Sequence, residues 1–193
     1  GKDVEKTCNA LYAFTECQVS ISPKAVVIVD RKPVFMGVSE ILKINVENTK
    51  ETLRRGLEVQ LAELQESWMQ ASLEKIFIEN RIYKEKGYEE APDKEKLIVF
   101  VDKALEPWKA KLIREVRRED IERLFEIRMI RITRFDSKKA DELMRDLDKK
   151  IKATIKNLKN LNDYTIAWFD TLKTKYGHLY PRRTEVRNFA NIN

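Results

Sequence analysis

Between Asp136 and Tyr176 the inward-facing positions fall in steps of three and four without a break: Met144, Leu147, Ile151, Thr154, Leu158, Leu161, Thr165, Trp168 and Leu172. That is the period of a left-handed helix pair, not of a strand. No Pro or Gly interrupts the stretch before Gly177. The pattern predicts a single helix of about forty residues, roughly 60 Å long at its rise per residue. Asp136 or Ser137 suits the N-cap, Asp141 and Glu142 stand in the first turn, and Gly177 supplies the stop. A helix of that length needs a partner.

A second stripe supplies it. Leu57, Leu61, Leu64, Trp68 and Ala71 repeat the alternation on a helix expected to open at Asn48 or Thr49 and run to about Tyr83 or Lys86. Lys75 breaks the stripe, and the apolar weight then moves to Leu73, Ile76, Phe77 and Tyr83. Two such helices, separated by an intervening segment, pack antiparallel with that segment as a knob at the far end. Trp68 and Trp168 stand at seam positions and read as core rather than as a cofactor box.

The remaining patterns are shorter. Gln18 to Ser22 alternates, Pro23 interrupts, and Ala25 to Val29 is a β-branched run. Asp30, Arg31 and Lys32 make a polar turn, and Pro33 to Val38 is the expected return strand. Ser39 is placed as the N-cap of a short helix, Glu40 to Ile44. In the knob, Gly87 to Asp93 is a break, and Lys94 to Leu105 puts Leu97, Ile98, Val101 and Ala104 on one helical face, ended by Pro107. Ile121 to Ile130 is read as one helix burying Ile121, Leu124, Phe125 and Ile127. Beyond it, Met129, Ile130, Ile132 and Phe135 are too many apolar residues for one short helix to hide on one side, with Arg128, Arg131 and Arg134 interleaved. A contiguous apolar surface there is a candidate subunit contact, against the plainer reading of a local core. The fold class is therefore mainly α with a small α+β N-terminal part: two long antiparallel helices forming a coiled-coil arm with a small helical dimerisation knob at its tip.

Composition changes this picture little. Of 193 residues, 36% are charged and 42% hydrophobic, which suits long helices with solvated outer faces. The net charge of +6 permits contact with nucleic acid without requiring it. Cys8 and Cys17 make neither a disulfide framework nor a metal quartet, and His178 is the one histidine, so no histidine cluster can be built. No phosphate-cradling glycine loop occurs, and no apolar run is long enough to span a membrane. No catalytic residue and no metal ligand is assigned. Gly1 stands where a Met would start a chain and LYAF follows early, so the chain is read as a piece of something larger.

Three segments carry a resemblance. ALYAFTECQVSISPKAVVI (Ala10 to Ile28), RLFEIRMIRITRFDSKKADEL (Arg123 to Leu143) and KYG followed by PRRTEVRNF (Lys175 to Phe189) resemble the end of the tower domain, the bottom-gate segment AILDMRLRRLTGLE and the KYG…RRTEI signature of the A subunits of bacterial type IIA DNA topoisomerases. This is the family of gyrase and topoisomerase IV. Arg134 stands where the family has Gly. Ser72 to Glu90 departs from the gyrase-like ILEGLLIAL and looks closer to topoisomerase IV-type A subunits of the Bacteroidetes.

The resemblance implies the following organisation: residues 1–47 as the end of the tower, 48–88 as the first coiled-coil helix, 89–136 as the gate knob, 137–177 as the second coiled-coil helix, and 178–193 as a basic return segment. It implies part of the breakage–reunion subunit of an ATP-dependent enzyme, topoisomerase IV rather than gyrase. Met129, Ile130, Ile132 and Phe135 would form the exit-gate dimer contact, and Leu57, Leu61, Leu64, Trp68, Leu147, Ile151, Leu158, Leu161, Trp168 and Leu172 the coiled-coil seam. The family's catalytic tyrosine follows an Arg. No tyrosine here does, Tyr12 included, so the cleavage site is expected elsewhere and the segment inactive alone. Implied partners are a second copy through the knob, the topoisomerase B subunit and duplex DNA without sequence preference; no membrane is implied. Mg2+ and ATP would serve the parent enzyme, on the other subunit, with none held here. The expected location is the cytoplasm, on the chromosome. The competing readings are a free-standing coiled-coil module without a DNA role, and a basic helical nucleic-acid binder.

Overall fold

The computed structural model describes residues 3–17, 19, 21–22 and 24–185. The chain divides into two compact units, Gly1–Thr49 with Ile166–Asn193, and Lys50–Thr165. Among the described residues it is mainly helical, with one two-stranded sheet.

The first unit opens with helix α1 (Val4–Phe14), which the sequence patterns did not reveal; its N-cap is Asp3, whose Oδ1 accepts from the Glu5 N–H at 3.2 Å. Strands β1 (Val26–Val29) and β2 (Lys32–Phe35) then pair antiparallel, Val26 opposite Phe35 and Val29 opposite Lys32. Lys32 is thus in the strand, and the turn is only Asp30 and Arg31. Both have positive φ, 50° and 65°, as a two-residue turn matching strand twist requires. Gln18, Ser20 and Pro23 of the expected alternating strand lie outside the described residues, while Val19, Ile21 and Ser22 belong to no strand.

Helix α2 (Val38–Glu79) corrects two expected boundaries. Ser39 does not cap a separate short helix, and Asn48 or Thr49 opens nothing: one helix of 42 residues runs through both. At its start, Glu40 Oε2 accepts from the Gly37 N–H at 3.0 Å, while the Gly37 carbonyl accepts from Glu40 and Ile41, so Gly37 is the flanking position. Inside it, the Thr49 hydroxyl donates to the Asn45 carbonyl at 2.7 Å, a use of a cap-type side chain that leaves the helix intact. The helix stops at Glu79, before the expected end. Asn80 donates through Nδ2 to the Ile76 carbonyl, and Arg81 turns into the left-handed region at φ 53°.

The second unit holds the main core. After a 3-10 turn (Ile82–Lys84) come α3 (Lys86–Glu89) and α4 (Lys94–Lys109). A Cβ on Gly87 would meet the Phe100 ring at 2.3 Å, so only glycine lets α3 lie this close to α4. Pro107 does not end α4; it sits in the last turn and forgoes the one N–H bond that would have reached the Lys103 carbonyl. Helix α5 (Arg118–Phe125) stops before Ile130, and α6 (Met129–Thr133) is separate. Met69, Leu73, Phe77 and Ile82 pack with Ile98, Val101 and Leu105 of α4 and Ile121 and Leu124 of α5 in one buried cluster. Tyr88 bridges it edge-on to Phe77 and Phe125, with centroids 5.9 and 6.1 Å apart.

Helix α7 (Ser137–Lys159) begins at Asp136, whose Oδ1 accepts from Lys138 N–H at 3.0 Å and Lys139 N–H at 3.4 Å. The single forty-residue helix is not formed. Asn160 leaves helical geometry (φ −110°, ψ 48°), and α8 (Leu161–Tyr176) starts anew. Asn tolerates such a conformation because its side chain competes with the helix backbone. In the second unit α2 and α7 run antiparallel: Ser137 donates to Glu79, Lys75 pairs with Asp141, and Trp68 and Ser72 line a cavity with Met144 and Asp148. Continued residue for residue, that register brings Trp68 level with Asp148, Leu64 with Lys152 and Leu57 with Lys159, each one residue from the seam positions Leu147, Ile151 and Leu158.

Candidate functional site

Arg128 and Asp136, both with extended backbone, bracket a single turn of helix and its exit. Arg134 and Phe135 donate N–H bonds back to the carbonyls of Ile130 and Ile132, at 3.2 and 3.3 Å, which closes the turn tightly. On a helix advancing about 100° per residue, Ile130 and Ile132 point to opposite faces. The four residues expected together at a contact therefore divide. Ile132 and Phe135 pack against the core, whereas Met129 and Ile130 are exposed at 68% and 57%.

Ile130 forms a ridge between two concavities. A groove of about 550 Å³ is lined by Leu73, Glu74, Asp120, Arg123, Leu124 and Ile127, and another of about 450 Å³ by Ala71, Arg134, Phe135, Lys139, Ala140 and Leu143; Ile130 and Arg131 line both. The ridge is tied to α2. Arg131 donates through Nε and Nη2 to the two oxygens of Glu74, at 2.5 and 2.7 Å. This two-point geometry fixes direction as well as distance.

Beneath the first groove lies a charged network that the sequence patterns did not disclose. Arg114 reaches both oxygens of the buried Asp120, at 2.6 and 2.8 Å, and Glu66 of α2 at 2.7 Å; Arg123 donates to the other Glu66 oxygen at 2.7 Å. The Arg117 N–H adds a bond to Asp120 at 2.8 Å, at the start of α5. Burial pushes the Asp120 carboxyl up, but Arg114 and the Arg117 N–H more than offset it, leaving Asp120 below the ordinary aspartate range. The Arg114 hydrogen bond likewise holds Glu66 low. Only the acidic residue at the third position of α5 could have hinted at this; the 48-residue span from Glu66 to Arg114 carries no local signal.

The expected seam residues are buried or half-buried throughout. Leu57, Leu147 and Ile151 are buried, while Leu61, Leu64, Trp68, Leu158 and Leu161 are half-buried in the second unit, and Trp168 and Leu172 half-buried in the first. The Trp68 indole N–H is buried with no hydrogen-bond partner among the described residues. Trp168 stacks edge-on against Phe169, 5.0 Å between centroids. His178 is exposed in a 3-10 turn (Gly177–Leu179), and Cys8 and Cys17 are exposed free thiols. Val186 to Phe189 of the tail signature lie outside the described residues. Among the described residues no cluster of His, Cys, Asp and Glu could hold a metal ion, and no helix is long and apolar enough to cross a membrane.

The model of a family described as the A subunit of DNA gyrase/topoisomerase IV matches residues 1–173. The A subunit of DNA topoisomerase 4 from Borreliella burgdorferi is 30% identical over 186 residues, covering 96% of this chain and 29% of that protein. The chain thus spans less than a third of the length of the curated relative it matches.

Proposed function

The chain belongs to the A-subunit family of DNA gyrase and topoisomerase IV, and from that premise we propose that it forms the coiled-coil arm and exit gate of a type IIA topoisomerase. The observation that carries the reading is the division at α6: Ile132 and Phe135 anchor the turn in the core so that Met129 and Ile130 stand outside it. A small apolar ridge with an arginine rim suits a contact between two copies that must hold during strand passage and still separate. The parent enzyme, topoisomerase IV rather than gyrase, would cut one duplex, pass another through and reseal it. ATP and Mg2+ would act with the B subunit and with other parts of the breakage–reunion subunit, in the cytoplasm on the chromosome. The arm itself performs no covalent step and meets duplex DNA through phosphates. In this reading residues 1–47 close the tower, 48–88 and 137–177 form the arm, 89–136 the knob and 178–193 the return segment.

Sedimentation of the chain over about a hundredfold range of concentration tests the contact, because a dimer dissociates by mass action. The expected result is a dimer that Ile130→Glu converts to a monomer with unchanged helicity. A monomer at every concentration removes the gate reading.

A further inference from the structure

The second half of α7 differs in its charges from everything around it. Residues 149–159 contain five lysines and no acidic residue. Four of these, Lys149, Lys152, Lys156 and Lys159, follow Arg145 in steps of four, three, four and three. At about 100° per residue they fall in a band about 80° wide on one flank, clear of the seam through Leu147 and Ile151. All five side chains are exposed.

These charges have little internal use. Arg114, Arg118, Arg123 and Arg131 of the same unit are each held by a carboxylate. On the α7 flank, Lys149 reaches Asp146 at 3.5 Å, and Lys152, Lys156 and Lys159 make no ion pair among the described residues. A solvated helix face normally intersperses both signs, and four-residue pairs of like charge weaken an isolated helix. Other lysines of this unit also lack an ion pair, but on this flank they recur at helical spacing with no acidic residue between Lys149 and Lys159.

We propose that this flank is a track for the phosphates of duplex DNA. Arg145 to Lys159 covers about 21 Å of helix, along which a duplex carries about a dozen phosphate charges. Lysine is a point charge on a flexible stem, so it neutralises phosphate without demanding one geometry. Contacts of that kind fix position without reading sequence. The flank offers no aromatic or amide side chain toward base edges. The track therefore holds a passing duplex loosely and lets it slide. The proposal deepens the gate reading by naming which face of the arm meets the duplex, and it rests on that reading for its setting.

The test is fluorescence anisotropy of a random-sequence duplex titrated with the chain between about 50 and 200 mM salt, the range over which such binding falls steeply. The variant Lys152→Gln/Lys156→Gln/Lys159→Gln is compared with Lys96→Gln/Lys103→Gln/Lys150→Gln, which removes equal charge off the track and away from the Ile130 ridge. Gln and Lys have nearly equal helix propensity, and circular dichroism checks that both fold. The track variant is expected to lower the slope of log affinity against log salt by about 2.7, at about 0.9 per phosphate lost, and the control by less than about 1. Equal losses in both, or no binding by the unsubstituted chain at low salt, overturn the track. Sedimentation of the same samples separates the two claims: dimers with equal losses leave the gate and remove the track, and monomers with a track-specific loss do the reverse.

Discussion

The proposed arm and knob of the second unit are both helical, yet they are held in different ways. Where α2 meets the knob, Met69 of α2 and Val101 and Leu105 of α4 have no exposed surface, and Asp120 is buried at 3% with its charges answered on every side. Along the arm, Leu61, Leu64, Leu158 and Leu161 keep part of their surface in water. A two-helix seam can bury only one stripe per helix, whereas the knob closes helices around a common centre. Periodicity alone therefore says where burial occurs and little about how deep it goes. The knob should open only with global unfolding, and the arm should exchange its amides at lower cost.

The largest effect should come from Phe77→Ala, on the stretch of α2 that packs into the knob's core, with a loss of about 3–5 kcal/mol measured by urea unfolding. A loss as small as that of an arm substitution would erase the contrast. Next comes Asp120→Asn, which leaves the half-buried Arg114 charge answered only by Glu66, at about 3 kcal/mol. Its pH behaviour sharpens the point. The Asp120 pKa is lowered in the folded state, so its contribution is present above the ordinary aspartate pKa and is lost as pH falls through the folded value. The unsubstituted chain should lose stability below about pH 4, and Asp120→Asn should flatten that acid limb. Smaller again is Leu64→Ala on the arm, about 1–2 kcal/mol for a half-buried side chain. Hydrogen exchange should show its effect in α2 and α7 while the amides of α4 keep their protection.

Much of this was readable before any coordinates. The seam emerged from steps of three and four, because a stripe of that period has no other way to be buried. The hairpin emerged from Ala25 to Val29 and the polar turn. What stayed hidden had no local trace. The interruption at Asn160 leaves Leu158, Leu161 and Thr165 in step, so the stripe passes through it unaltered. Thr49 looked like a cap, but its hydroxyl had an internal acceptor in the Asn45 carbonyl. Met129 and Ile130 could be told from Ile132 and Phe135 only once α6 proved to be a single turn with its own orientation. The Glu66–Arg114–Asp120 network joins residues far apart in the chain, and each alone reads as an ordinary surface charge.

The pairing of Arg131 with Glu74 acquires a mechanical meaning from the helix it grips. A pull applied at Ile130 enters α2 through two parallel bonds, four residues from the buried Ile78. From there it meets a helix without a break through the second unit, from Glu79 back to Lys50. The same pull entering through Asp136 meets the discontinuity at Asn160. In the proposed arm the two helices would thus be unequal springs, one stiff and one articulated, and tension at the tip would travel mainly along the first.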